Sequence, residues 1–225
     1  MIKLETVVPF GRSLDEYCKM FNLTPAELNL RILGVADGPA SFNSELTRQG
    51  GQVTSVDPLY AFNAAEIRSR FDAVVDNIIE QIKQTPHNWV WSYHGSPDEL
   101  RANREKVMSL FLDDYAQQVD SQRYITGELP TLPFATHQFD LALCSHFLFL
   151  YSDHFSLDFH LQSIREMLRV ANQVRLFPLL TLTLQRSPYL ESIQREMTAS
   201  GWSVQIQPVE YELQKGGNEM LVITS

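Results

Sequence analysis

The side chains with the clearest chemical use lie between residues 31 and 57. Arg31-Ile32-Leu33-Gly34-Val35 reads as an apolar strand that enters a turn of small residues, Ala36-Asp37-Gly38-Pro39-Ala40. A helix follows, and a second apolar strand, Val53 to Val56, stops at Asp57. Small residues let the backbone approach a bound nucleotide closely, and N–H groups at a helix start receive polar or anionic groups. An acid at the end of the second strand, about 20 residues beyond the turn, can accept hydrogen bonds from a ribose diol. Gly34, Ala36, Asp37, Gly38 and Asp57 are therefore candidate cofactor-binding residues. Asp57 precedes Pro58, so it also reads as the start of an Asp-Pro turn.

Positioning these residues requires a sheet. Strands are expected at about 31–35, 53–56, 123–125, 139–144, 174–179, 203–208 and 219–224. Helix starts are marked where a hydroxyl precedes Glu by three residues, at Ser13, Thr24 and Ser96, two of them followed by proline. They predict helices near 13–21, 25–29 and 97–118. The segment after Ser156 places Leu161, Ile164, Leu168 and Ala171 on one helical face, with Arg165 and Arg169 late, where they complement the helix dipole. This β-α-β succession predicts an α/β fold, a mostly parallel sheet with helices on both faces. The last two strands are joined through Tyr211 to Asn218, too short for a helical crossover, so they must pair antiparallel.

Residues 58–122 are longer than a crossover needs. Ile67, Phe71, Val74, Ile78 and Ile82 form one helical stripe, Leu100, Val107, Leu110 and Phe111 another, and Trp89, Trp91, Tyr93 and His94 occupy the link. The expectation is a single domain over 1–225, with 58–122 as a helical, lid-like insertion folded over the carboxyl edge of the sheet. Asp72, Asp76, Asp113 and Asp114 read as solvated helix residues, as do Asp158 and His160.

A hydrophobic fraction of 44% with 20% charged and 11% aromatic residues is that of a chain that folds. The net charge of −9 leaves no basic excess to displace counterions from nucleic acid. Cys18 and Cys144 lie far apart and form no disulfide or CxxC framework. Met1 to Thr6 do not resemble a signal peptide, and the longest apolar stretches, Leu141 to Tyr151 and Val174 to Leu184, are too short and interrupted to span a bilayer. The expectations are a cytoplasmic location, no membrane and no nucleic-acid partner, with the oligomeric state open. The six-residue separation of His154 and His160 does not place them on one helical face, so no metal site is expected.

A further segment, Gly127-Glu128-Leu129-Pro130-Thr131-Leu132-Pro133-Phe134, precedes the buried strand Phe139 to Cys144 and then Ser145-His146. With residues 30–57 and 123–184, the chain here resembles the class I S-adenosylmethionine-dependent methyltransferases. It resembles in particular a group of bacterial, methyltransferase-like proteins with the segments Gly38 to Asn43 and Ser145 to Ser152. The resemblance implies a Rossmann-like fold with a seven-stranded sheet, and S-adenosylmethionine as cofactor. It further implies that Gly34 to Ala40 wraps the methionine part, Asp57 binds the ribose, and Glu128 and Leu129 contact adenine. Ser145 and His146 border the methyl-transfer chamber on this reading. His146 is then the candidate catalytic base, the alternative being a structural histidine packed beneath the cofactor or bonded to a backbone carbonyl. Arg12, in a turn before a helix, is a candidate partner for the methionine carboxylate or else a surface arginine. Tyr17, one turn later, can share that wall.

Two departures stand out. The family commonly has an acid where Gly34 stands and glycines where Ala36 and Ala40 stand. The leading expectation is methyl transfer to a small-molecule acceptor. The alternatives are a catalytically weak cofactor-binding or interaction module and a nicotinamide-dependent oxidoreductase.

Overall fold

The computed structural model describes residues 3–117 and 122–225. Ser13 opens α1 (Leu14–Met20) through a capping box with Glu16. Strand β1 (Arg31–Val35), helix α2 (Phe42–Arg48) and strand β2 (Gln52–Val56) form the first unit. The insertion folds as α3 (Ala64–Lys83) and α4 (Pro97–Tyr115), each capped by the side chain that precedes it, Asn63 or Ser96. Then come β3 (Tyr124–Ile125), β4 (Phe139–Ser145), α5 (Leu157–Val170), β5 (Ala171–Phe177), α6 (Leu190–Ala199), β6 (Ser203–Pro208) and β7 (Glu219–Thr224).

The strands form one seven-stranded sheet in the order β3-β2-β1-β4-β5-β7-β6. The first five are parallel, and β7 runs antiparallel to both β5 and β6. This is the Rossmann-like, mostly parallel arrangement with an antiparallel carboxyl-terminal strand that the sequence predicted. Alternate residues of the central strands enter opposite cores: Ile32, Leu141 and Leu143 pack toward α1, α2, α3 and α4, whereas Leu33, Ala142 and Cys144 pack toward α5 and α6. Burial on both faces is why these strands read as continuous apolar runs. The chain reverses its direction of travel across the sheet between β1 and β4, which opens a crevice at their carboxyl ends.

Several local expectations change. The helix near 25–29 is a single 3₁₀ turn, Glu27–Asn29, because β1 begins two residues later. Strand β5 starts at Ala171, since α5 runs into it without a loop. Helix α4 ends at Tyr115; residue 118, the expected end, lies outside the described residues, as do Met1 and Ile2 of the leader reading. His160 is fully buried, with Nδ1 2.7 Å from the Ser156 carbonyl and Nε2 2.8 Å from that of Leu148. The buried face of α5 runs through His160, Ser163, Ile164, Met167 and Leu168, so His160 lies inside the stripe, not beside it. Asp114 is likewise no solvated residue, since it accepts hydrogen bonds from Tyr124 and Arg123. Among the described residues no helix is long and apolar enough to cross a membrane.

Candidate functional site

Val35 pairs with Val56 on one side and Cys144 on the other. The next residues, Ala36, Asp57 and Ser145, therefore emerge together at the carboxyl edge. With Arg12, Asp37, Gly38 and His146 they line a cavity of about 510 Å³, a size suited to small molecules. Its outer wall comes from the irregular segment 4–12, from α3 and from Trp89, while α4 does not reach it. Tyr93 and His94, beside Trp89 in the link, pack on Tyr211 instead.

The turn keeps a glycine-like path despite its alanines. Ala36 has φ 52° and Gly38 φ 54°, the left-handed region that costs an alanine about 1–2 kcal/mol. Ala36 is held there by its N–H bond to the Val56 carbonyl at 2.9 Å. Ala40 does not face the cavity but is buried in the core. The start of α2 is buried as well, through Ser41, Phe42 and Asn43, so the turn rather than a helix start meets a ligand.

Asp57 serves two structures at once. Its Oδ1 accepts the Leu59 N–H at 2.7 Å, as an Asp-Pro turn requires, and its Oδ2 accepts the Gly38 N–H at 2.9 Å, tying the turn to β2. Each oxygen keeps a second lone pair for a ligand hydroxyl. Burial pushes the Asp57 carboxyl up to about 6, against the pull of these two N–H groups.

Asp37 is buried, accepting hydrogen bonds from the Tyr17 hydroxyl and, at 2.5 Å, from Ser55, which is itself held by Asn43 at 3.0 Å. Burial raises this carboxyl to about 6, the two hydroxyls opposing it and the Asp57 charge adding to it. A Cβ at Gly34 would overlap the Asp37 carboxylate. Gly34 thus lies outside the cavity lining and serves by making room. Where the resemblance leads one to expect an acid at 34, the carboxylate arrives from 37 and fills the volume a side chain at 34 would occupy.

Arg12 is buried, bonds the Phe10 carbonyl through Nη1, and has no partner for Nε. Among the described residues no carboxylate pairs with it. Burial and the nearby charge of Arg104 lower its guanidinium to about 10, which leaves it a cation at neutral pH. The acid within range is engaged elsewhere: Arg104 of α4 makes a bidentate pair with Glu16 at 2.6 and 2.8 Å, and Tyr211 donates to Glu16 at 3.0 Å. Burial alone would raise the Glu16 carboxyl, but the charge of Arg104 and hydrogen bonds from His94 and Arg104 hold it well below the usual range. The sequence reading did not anticipate this pair. Its signal was a lone arginine inside the apolar stripe Leu100, Val107, Phe111.

His146 sits at φ 52°, with its N–H on the Phe177 carbonyl at 2.6 Å and Nδ1 2.8 Å from Ser145 Oγ. A non-glycine residue held in that region marks a position where the fold overrides local preference. Burial, then the charges of Arg12 and Arg104, push its imidazole well below the ordinary value, so it is neutral. Glu128 and Leu129 are not brought into the cavity. They line a separate recess of about 20 Å³ that shares Ala36 and Pro58 with it, room for about one water.

No protein-family model matches the chain. Solved structures with a similar chain path include magnesium protoporphyrin IX methyltransferase from Synechocystis PCC 6803 with bound SAH, at 14% identity and TM-score 0.49, covering 94% of this chain and 81% of that one. Another is a putative S-adenosyl-L-methionine-dependent methyltransferase from Methanococcus maripaludis, at 10% identity and TM-score 0.48, covering 94% and 83%. Likeness at this level says nothing of ligand or reaction. In sequence, the chain is 33% identical over 223 residues to the uncharacterized protein MJ0045 of Methanocaldococcus jannaschii, covering 99% of this chain and 98% of that protein. That relative is archaeal, so the bacterial origin attached to the resemblance finds no support. With a third of its residues identical over nearly the whole of both proteins, the chain belongs to the family of MJ0045.

Proposed function

We propose that this protein transfers a methyl group from S-adenosylmethionine to a small-molecule acceptor. The observation that carries the reading is one buried, carboxylate-free cation, Arg12, facing the same cavity as two carboxylates, Asp37 and Asp57, at the switch point of the sheet. That charge pattern complements an amino-acid carboxylate at Arg12 and a ribose diol at Asp57, with Asp37 favouring the positive end of the donor. Ala36 and Gly38 present the turn backbone to it, and Gly34 supports the turn by admitting Asp37. Glu128 and Leu129, in a separate recess with room for about one water, are not assigned to adenine on this reading. When bound, the donor supplies an electrophilic methyl carbon.

The chain's own residues do the remainder. The apolar outer wall excludes water from the reacting groups. His146, neutral and engaged at Nδ1 by Ser145, has Nε2 as the atom to take a proton from an oxygen or nitrogen nucleophile. The net charge of −9 and a cavity of small-molecule size favour a small acceptor over nucleic acid or a membrane surface. Cys18 and Cys144 are free thiols, in keeping with the cytoplasm.

Calorimetric titration with S-adenosylhomocysteine and, separately, with reduced nicotinamide cofactor tests the donor half. Binding of the first alone is expected; binding of the nicotinamide alone sinks the reading. Labelled methyl transfer across a metabolite set then separates an enzyme from a binding module.

A further inference from the structure

Helix α3 contributes Arg70, Ala73, Val74, Ile78 and Ile82 to the cavity. Their spacing puts them on one face, a stripe about 18 Å long at the α-helical rise. A cation stands at one end and apolar side chains fill the rest.

Arg70 has no carboxylate partner among the described residues, unlike the other arginines of α3 and α4. Arg68 pairs with Asp72 and Glu105, Arg101 with Asp76, and Arg104 with Glu16. Glu66, one turn before Arg70, turns back to cap Asn63 instead. The guanidinium carbon lies over the Phe62 ring, 3.8 Å from its centroid, and Phe62 also lines the cavity. This cation–π contact holds the guanidinium at the ring and leaves its N–H groups, which make no hydrogen bond among the described residues, for a planar anion. The carboxylates among the described lining residues, Asp37 and Asp57, both belong to the donor end.

We propose that the acceptor is an amphipathic carboxylate, a small molecule whose anionic group is held by Arg70 and whose apolar body lies along α3. The inference rests on the donor reading in one respect: it assigns Arg12, Asp37 and Asp57 to the donor and so leaves Arg70 for the acceptor. An amine is disfavoured here, since it would place a second cation beside Arg70 with no acid to receive it.

Three probes of one shape, 4-phenylbutyrate, 4-phenylbutanol and 4-phenylbutylamine, test it by calorimetry, with and without saturating S-adenosylhomocysteine. The acid should bind roughly tenfold or more tightly than the other two, the scale of a charge-assisted hydrogen bond. Arg70→Gln should bring the acid to the level of the alcohol, Arg70→Glu should turn the preference toward the amine, and both should bind S-adenosylhomocysteine within about twofold of wild type. Arg70 is exposed, so both variants should keep the wild-type melting temperature. The proposal is overturned if the acid does not bind, if the amine or alcohol binds as well, if Arg70→Gln changes nothing, or if it weakens S-adenosylhomocysteine equally. Failure of wild type to bind S-adenosylhomocysteine sinks the donor reading separately, because the comparison of acid with amine without it still decides the role of Arg70.

Discussion

Two groups of buried charges meet at α1, and adjacent residues of that helix serve them. Glu16 turns to Arg104, a bidentate pair closed by Tyr211 and His94, while Tyr17 turns to Asp37, whose surroundings hold no paired cation. The carboxyl groups respond in opposite directions: Glu16 is held well below the usual range and Asp37 is pushed up to about 6. A buried charge needs compensation, from the fold or from a ligand. The first cluster is complete and anchors α4 of the insertion to α1. The second is incomplete and faces a cavity that Arg12, a cation the first cluster has left without an acid, also lines. The incomplete one is the better candidate for a binding site.

Perturbing the completed pair should have the largest effect. Arg104→Met leaves Glu16 buried without its counter-charge and should cost about 3–5 kcal/mol in urea unfolding, much of it recovered in the Glu16→Gln/Arg104→Met double variant. A loss no greater than that of a surface substitution would erase the contrast between the clusters. The depressed Glu16 carboxyl gives stability that is present above its unfolded pKa and lost as pH falls through the folded value, so acid unfolding should be less steep in the double variant.

Asp37 carries the opposite sign. With its folded pKa raised to about 6, its contribution is fully present below the unfolded pKa near 4 and lost as pH rises through about 6. Between pH 4 and 7.5 this group should remove about 2–3 kcal/mol of stability. Asp37→Asn should flatten that part of the unfolding profile, and an unchanged profile would show that ligand-free Asp37 is already compensated.

Arg12→Met should leave stability nearly unchanged while weakening S-adenosylhomocysteine binding by roughly tenfold to a hundredfold. A variant that unfolds yet binds normally would move Arg12 into the structural cluster. Gly34→Ala should cost about 1–3 kcal/mol by displacing the Asp37 carboxylate, and the same displacement should weaken donor binding. The smallest effect is expected for Ala36→Gly, which relieves a left-handed alanine and should stabilise the protein by about 1 kcal/mol or less in thermal unfolding.

The strands were legible because burial on both faces makes runs such as Ile32 to Val35 and Leu141 to Cys144 continuously apolar. The antiparallel end of the sheet was legible from a connection too short for a helix. The positions of Ala36, Asp57 and Ser145 follow from strand ends, so the sequence brought them to one edge correctly. It could not show that Glu128 and Leu129 would line a separate recess, since that depends on how the loop after β3 packs. Nor did the local pattern show that His160 is buried: Ile164, Leu168 and Ala171 are buried as expected, but the buried face of α5 is wider than its apolar stripe and takes in His160 and Ser163.

What the sequence determined by itself is therefore whatever depends on neighbours along the chain: strand and helix periodicity, caps, the small-residue turn and the acid that ends β2. Contacts between distant residues were decided only by the tertiary structure. Glu16 and Arg104 stand 88 residues apart and Tyr17 and Asp37 stand 20 apart, and no local pattern says which buried charge will find a partner. Compensation of charge is a property of three-dimensional proximity in a low-dielectric interior. That proximity separates the arginine that holds the fold together from the two that stand without acids at the cavity.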